Sequence, residues 1–148
     1  MPKTLSPCAP QADFSAESGL FSGKLAFRHR LSVRLLAPAA DEPYANLGAG
    51  SLKVIDAGDG YVGFQNGIYW DAASNHSRSA IRVLSSPDGE RWLGPDPIIR
   101  PGRGWKRSHV YAMDVRRVGE TWLMYFNARD GWFVGRERIG RAVGTRAG

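Results

Sequence analysis

The feature that most constrains this chain is an internal repeat. Residues Ser51–Asn66 align without a gap over Ala112–Asn127, and after a loop of differing length Ala80–Ser86 falls over Arg138–Gly144. Several matched positions are identical or alike in kind, as in Val54/Val115, Gly58/Gly119, Asp59/Glu120, Tyr61/Trp122, Phe64/Tyr125 and Asn66/Asn127. Each unit therefore reads as strand, tight glycine turn, aromatic strand, loop and strand, at a spacing of about sixty residues.

Alternating apolar and polar residues, separated by strong turn formers, predict strands along most of the chain. The predicted strands are Leu25–Leu36, Ser51–Ile55, Tyr61–Asn66, Ser79–Ser86, Pro97–Arg100, Val110–Val118, Thr121–Phe126 and Arg138–Val143. No segment has the pattern of an amphipathic helix. We therefore expect an all-β protein with a flexible arm at residues 1–24, one domain over residues 25–148, and units at about 48–101 and 108–144. Four antiparallel strands repeated radially are typical of propeller blades, and a plain antiparallel sandwich is the alternative.

Charge is distributed unevenly over the 148 residues. Of the 20 basic and 14 acidic residues, 12 and 5 respectively lie within residues 91–148. Such a bias indicates either a polyanionic partner, such as nucleic acid or an acidic polysaccharide, or a set of solvated arginines at strand edges.

Several classes of protein are disfavoured by what the sequence lacks. The single cysteine, Cys8, excludes an internal disulfide and a cysteine-built metal site, and the three histidines are widely spaced. Neither a phosphate-binding loop nor a dinucleotide fingerprint occurs, so we expect neither metal nor cofactor. The absence of a long apolar run or a signal-like start predicts a cytoplasmic protein with no membrane partner.

The segment Ser85-Ser-Pro-Asp-Gly-Glu-Arg-Trp92, followed by Pro97–Pro101, carries a family resemblance. With Tyr111-Ala-Met-Asp-Val115 and the aromatic run Thr121–Asp130, it resembles the five-bladed β-propeller glycoside hydrolases of the arabinanase, β-xylosidase and invertase type. The resemblance covers roughly residues 25–144 and implies two blades plus a partial one. Five such blades would need about twice this chain, so it implies an incomplete propeller whose open sheet edge invites self-association or a partner chain.

The resemblance implies three catalytic carboxylates: an Asp base, an Asp that orients it, and a Glu acid. Only Asp114 matches the family pattern, as either base or orienting residue, and its counterpart in the first unit is Lys53. We expect Asp114 to be partly desolvated, with a raised pKa suited to acid or base chemistry, or else to be a structural Asp bonded to Arg116. Glycoside hydrolysis requires a second carboxylate roughly 5 to 9.5 Å away. The candidates are Glu137, Asp130 and Asp71.

Two predicted loops, 66–78 and 127–137, mix aromatic, amide and charged side chains in the way that sugar-binding sites do. The candidate substrate-binding residues are Asn66, Trp70, Asp71, His76, Arg78, His109, Tyr111, Asn127, Arg129 and Trp132. Trp92, Trp122 and Tyr125 are instead expected to pack in the core. The same mixture of aromatic and basic residues could stack nucleic-acid bases.

Three functions remain open at this point. The first is a carbohydrate-active protein that hydrolyses or binds glycosidic substrates with Asp114 and Glu137 or Asp130. The second is a non-catalytic glycan-binding or assembly module, towards which the short chain shifts the balance. The third, less favoured, is a β protein that binds nucleic acid.

Overall fold

A computed structural model describes residues 34–94 and 96–145, which belong to one compact body. The architecture of these residues is all-β. The strands are β1 (Gly48–Asp56), β2 (Tyr61–Asp71), β3 (His76–Ser86), β4 (Pro97–Ile99), β5 (His109–Val118), β6 (Thr121–Arg129) and β7 (Glu137–Thr145). A 3-10 turn, Gly104–Lys106, precedes β5. The described part of the chain contains no helix long and apolar enough to cross a membrane.

The first unit consists of β1 to β4, paired antiparallel in sequence order. Gly58 and Gly60 make the turn between β1 and β2 with φ values of 90° and 144°, which favour glycine. The Asp56 carboxylate accepts a hydrogen bond from the Gly58 amide at 2.7 Å and closes this turn. The acidic-glycine pattern in the sequence therefore sets the first hairpin.

The second unit consists of β5, β6 and β7, again antiparallel. A register shift between Tyr111 and Met113 marks a bulge at Ala112, which has a φ of 43°. The extra residue leaves Val110 and Val115 on the same buried face, although their separation is an odd number of residues. Tyr111 and Asp114 are left on the opposite face.

The two units join in one mixed sheet of seven strands, in the order β1-β2-β3-β5-β6-β7 with β4 beside β3. A parallel pair, Ser79 with His109, links β3 to β5. Further along, β5 approaches β1, where Lys53 meets Asp114. Strand β5 thus contacts β3 near its start and β1 further along. The apolar faces of the two units share one core. Its buried members are Phe64, Ile81, Val110, Val115, Met124, Phe126 and Ala128.

The structure confirms the all-β class, and several of its strands are longer than predicted. The predicted loop 66–78 is wrong, because β2 runs on to Asp71 and β3 already begins at His76, so Trp70 lies on a strand. Gly67 lies within β2, paired with Ala80, and its missing side chain lets the Tyr44 carbonyl lie against it. Tyr125 is also not a core residue, since it lies on the outer face of β6 and is 49% exposed.

Two predictions concern the start of the chain. The predicted flexible arm at residues 1–24 lies outside the described residues, as does most of the predicted strand Leu25–Leu36. Its last three residues are described and are not in a strand.

Candidate functional site

An open cavity of about 280 Å³ lies where the two units meet. Its lining residues come from four strands and are Asn66, Ile68, Ser79, His109, Tyr111 and Arg129. The Ser79–His109 pairing between β3 and β5 holds the two units together at this point. The Ser79 hydroxyl reinforces the junction by donating a hydrogen bond to the Val110 carbonyl at 2.8 Å. The cavity walls are therefore strands rather than loops, which favours a preformed site.

Two buried polar atoms in the lining residues have no hydrogen-bond partner within the described part of the chain. They are the Oδ1 atom of Asn66, an acceptor, and the Nε atom of Arg129, a donor. The Nη2 atom of Arg129 does donate to the Phe133 carbonyl, at 3.2 Å. A buried polar group without a partner costs roughly 1–3 kcal/mol, so both atoms are unfavourable in this arrangement.

Two titratable groups of the cavity, His109 and Tyr111, are uncharged at neutral pH, whereas the third, Arg129, is a cation. Burial, followed by the positive charges of Arg129 and Arg78, lowers the pKa of His109. Burial, followed by a hydrogen bond to Glu137, raises the pKa of Tyr111 to about 12. At neutral pH the cavity thus offers an imidazole, a phenol and an amide, which suit the hydroxyl groups of a sugar.

Beside the cavity, Trp132 anchors the loop between β6 and β7 to the first unit. Its indole NH donates to the Ser77 carbonyl at 2.9 Å, and the His76 ring lies 4.3 Å from it, centroid to centroid. The guanidinium groups of Arg78 and Arg107 lie 5.6 and 5.7 Å from the Trp132 ring. This cluster brings together three of the predicted binding residues and adds Arg107, whose role no sequence motif indicated.

Trp70 and Asn127 do not line the cavity. Trp70, near the end of β2, is 48% exposed, and its backbone NH donates to the Asn46 side chain at 2.9 Å. Asn127 lies on β6 opposite Tyr111 and Ile139. The repeat therefore places its two matched asparagines in different settings, Asn66 at the cavity and Asn127 outside it.

Asp71 and Asp130 are held in local ion pairs. Asp71 lies 2.8 Å from Arg78, and the Ser74 hydroxyl, the main cause, lowers its pKa. Asp130 lies 2.8 Å from Arg138 and accepts the Arg136 amide at 2.8 Å, and the hydrogen bond from Arg138 lowers its pKa most. Both carboxylates close the turns that follow their strands.

Asp114 differs from the sequence-based expectation of a desolvated carboxylate with a raised pKa. Its side chain is 51% exposed and lies 2.9 Å from the Lys53 amine and 3.5 Å from the Arg116 guanidinium. The hydrogen bond from Lys53 is the main cause that lowers the pKa of Asp114. The raised pKa was wrong because the position matched to Asp114 in the first unit carries a cation, which faces it across the interface. The alternative, a structural Asp bonded to Arg116, agrees with the observed contact.

Asp114 and Glu137, two of the predicted catalytic carboxylates, are not brought together. Asp114 on β5 pairs with Tyr125 on β6, and Tyr125 pairs with Arg141 on β7. Glu137 also lies on β7, four residues before Arg141. Four residues of strand correspond to about 13 Å, beyond the spacing that a pair of glycosidase carboxylates requires. Glu137 instead accepts the hydroxyl hydrogen of Tyr111, and among the described residues no group of three potential metal ligands occurs.

A second, larger cavity of about 700 Å³ opens at the opposite end of the interface, near the hairpin turns. Val62, Val83 and Ile99 of the first unit face Trp122 and Val115 of the second across it. The sequence did not indicate this cleft, because the apolar positions of a strand predict that it is buried but not how closely the two units approach each other.

Comparison with known proteins reveals a likeness of fold. No protein-family model matches the chain, and no curated protein matches it by sequence. A solved structure described as "Glycoside hydrolase" superposes with a TM-score of 0.58 at 11% identity, over 80% of this chain and 38% of that one. Another, described as a complex of BT0996 and RGII, gives 0.57 at 11% identity, over 76% and 35%. The chain thus spans little more than a third of each structure.

Proposed function

We propose that this chain is a carbohydrate-active protein whose smaller cavity binds a saccharide. The fold likeness to a glycoside hydrolase supports the carbohydrate class, as does the likeness to a protein in a complex containing RGII. The observation that carries the proposal is the cavity at the junction of the units, which brings together the side chains of Asn66, His109 and Tyr111. Amide, imidazole and phenol groups supply both the donors and the acceptors that sugar hydroxyls need.

The two units are proposed to be neighbouring blades of an incomplete five-bladed propeller. The Lys53–Asp114 contact supports this arrangement, because the two residues occupy equivalent positions in the repeat and lie 2.9 Å apart. Equivalent positions of two units meet when the units are related by rotation about an axis close to that point. Strands β1 and β5 would then be the innermost strands of their blades.

Binding, rather than hydrolysis, is the activity that the described residues support. Asp114 is ion-paired and half exposed, Asp130 closes a loop, and Glu137 accepts a hydrogen bond from Tyr111. None of these three carboxylates has another of the three as its partner. The non-catalytic module therefore fits the geometry better than a two-carboxylate hydrolase.

Replacing Asn66 tests the proposal. We expect Asn66→Leu to weaken saccharide binding at least about tenfold, because the amide is replaced by a group that cannot hydrogen-bond. Calorimetry with arabino-, xylo- and galacturono-oligosaccharides measures the affinity, and a thermal melt verifies that the variant folds. Asn127→Leu, the matched position of the second unit, should leave binding unchanged. Absence of binding to every oligosaccharide would contradict the proposal, and release of shorter products would contradict a purely binding role.

A further inference from the structure

Arg129 lines the cavity, and within the described residues neither it nor the neighbouring Arg107 takes part in an ion pair. Arg78 is paired with Asp71 and Arg138 with Asp130, both at 2.8 Å. Arg129 takes part in no ion pair within residues 34–94 and 96–145, although its side chain is half-buried and its Nε atom is fully buried. A guanidinium that has lost part of its hydration without gaining a counter-ion is unfavourable.

Glu137 lies directly opposite Arg129 in the pairing of β6 with β7, but the two side chains form no ion pair. The Glu137 carboxylate accepts the Tyr111 hydroxyl, and the Glu137 side chain is exposed. Arg129 acts on His109 and Tyr111 through its charge, lowering the pKa of both. Arg129 therefore places a positive charge beside His109, whereas at Tyr111 the negative charge of Glu137 has the larger effect on the pKa.

We propose that the saccharide bound in this cavity is anionic and that its carboxylate pairs with Arg129. Guanidinium is the protein group best matched to a carboxylate, because its planar set of donors fits the two oxygens. Asn66, His109 and Tyr111 then meet the ring hydroxyls. This assignment of a uronic-acid ligand rests on the proposed saccharide-binding function and specifies the chemical class of its ligand.

The distribution of charge along the chain favours such a ligand. Residues 91–148 carry 12 basic and 5 acidic groups, and Arg78, Arg107 and Arg129 all lie around the cavity or its neighbouring Trp132. A surplus of basic residues accelerates the approach of an acidic oligosaccharide, and this effect weakens as salt is added.

A comparison of acids with their methyl esters tests the inference, because esterification removes the charge and keeps the sugar. The probes are tetragalacturonate and glucuronosyl-xylotriose, each as free acid and as methyl ester, titrated calorimetrically into the full-length protein at two salt concentrations. We expect at least one acid to bind about tenfold or more tightly than its ester, with a smaller preference at high salt. We expect Arg129→Gln to remove that preference and leave the affinity for the ester within about twofold, whereas the exposed Arg141→Gln changes neither affinity.

The outcomes separate this inference from the function on which it rests. Equal affinity of the unmodified protein for acids and esters would overturn the anionic ligand and leave saccharide binding standing. A preference for the acid that survives Arg129→Gln in a folded variant would overturn the role of Arg129. Failure of all acids, esters and neutral oligosaccharides to bind would overturn both proposals. The comparison on the unmodified protein decides the ligand class even where the variant does not fold.

Discussion

A single residue position shows how the surroundings of a group decide its chemistry. The aspartate at position 114 was the candidate base, yet the side chain that faces it, Lys53, is a cation only 2.9 Å away. A general acid or base for neutral conditions needs a pKa near the working pH, and this pair shifts the pKa of Asp114 in the opposite direction. The sequence showed the two residues at matched positions of the repeat but not that they touch.

Removing the cation should raise the pKa of Asp114. The stabilisation from a carboxylate with a depressed pKa is complete above its unfolded pKa, near 3.8, and is lost as the pH falls below that value through the folded pKa. We expect Lys53→Met to raise the pKa of Asp114 and to reduce this loss of stability in acid. Carboxyl carbon NMR titration measures the first effect, and urea unfolding at pH 3 and pH 6 measures the second.

Lys106→Met is the control for this titration. The Lys106 amine donates to the Arg100 carbonyl at 2.9 Å and takes part in no ion pair with Asp114, so the pKa of Asp114 should not change. An identical Asp114 titration in Lys53→Met and the unmodified protein would show that the ion pair does not form in solution.

At the scale of elements, the β1–β2–β3 sheet depends on a close approach between a glycine and a tryptophan. Gly63 lies on β2 with no side chain, and the Trp92 ring occupies the space where one would point. Trp92 is fixed there because its indole NH donates to the Gly89 carbonyl at 3.1 Å, in the turn after β3. The turn thus holds the Trp92 ring against β2, and Gly63 leaves the space for it. The glycine is required for packing rather than for backbone conformation.

Gly63→Ala should therefore destabilise the fold. The added methyl carbon would lie 2.5 Å from the ring atom Cζ3 of Trp92, so we expect a loss of about 1–3 kcal/mol in the free energy of unfolding, measured in urea. Gly144→Ala, where an added Cβ has no neighbour closer than 4.0 Å, should have little effect. In a double-mutant cycle, Trp92→Leu should reduce the cost of Gly63→Ala. Purely additive effects would show that the contact with Trp92 is not the cause.

The elements were largely predictable from the sequence, whereas the site was only partly so. Alternation and glycine turns located all seven strands, since these are local signals. The sequence-based ends of β2 and β3 were too early and too late, respectively, because the two strands stay paired as far as Trp70 with Ser77 and Asp71 with His76. Four of the predicted binding residues do line the cavity, but Ile68 and Ser79 were not identified, because only the crossing of β5 over the first unit makes them cavity walls. Contacts between the units carry no local sequence signal.

For the whole molecule, the shared core implies that the two units unfold together. Phe64 of the first unit packs on Trp122 of the second with ring centroids 5.8 Å apart, and it belongs to a core cluster that includes Val115 and Met124. Neither unit buries its apolar face without the other, because a three- or four-stranded sheet has one face to cover. Stability is therefore a property of the interface more than of either hairpin.

Phe64→Ala should lower the stability of both units by the same amount. Removing a phenyl ring from a side chain only 7% exposed typically costs about 3–5 kcal/mol. Hydrogen exchange should show that amides of β2 and β6 lose protection equally, because opening the interface exposes both sheets. Tyr125→Ala is the matched control, at the equivalent repeat position but 49% exposed, and should change stability by about 0.5 kcal/mol or less. If β6 retained its protection while β2 lost it, the units would be independent and the cavity between them would not be a fixed site.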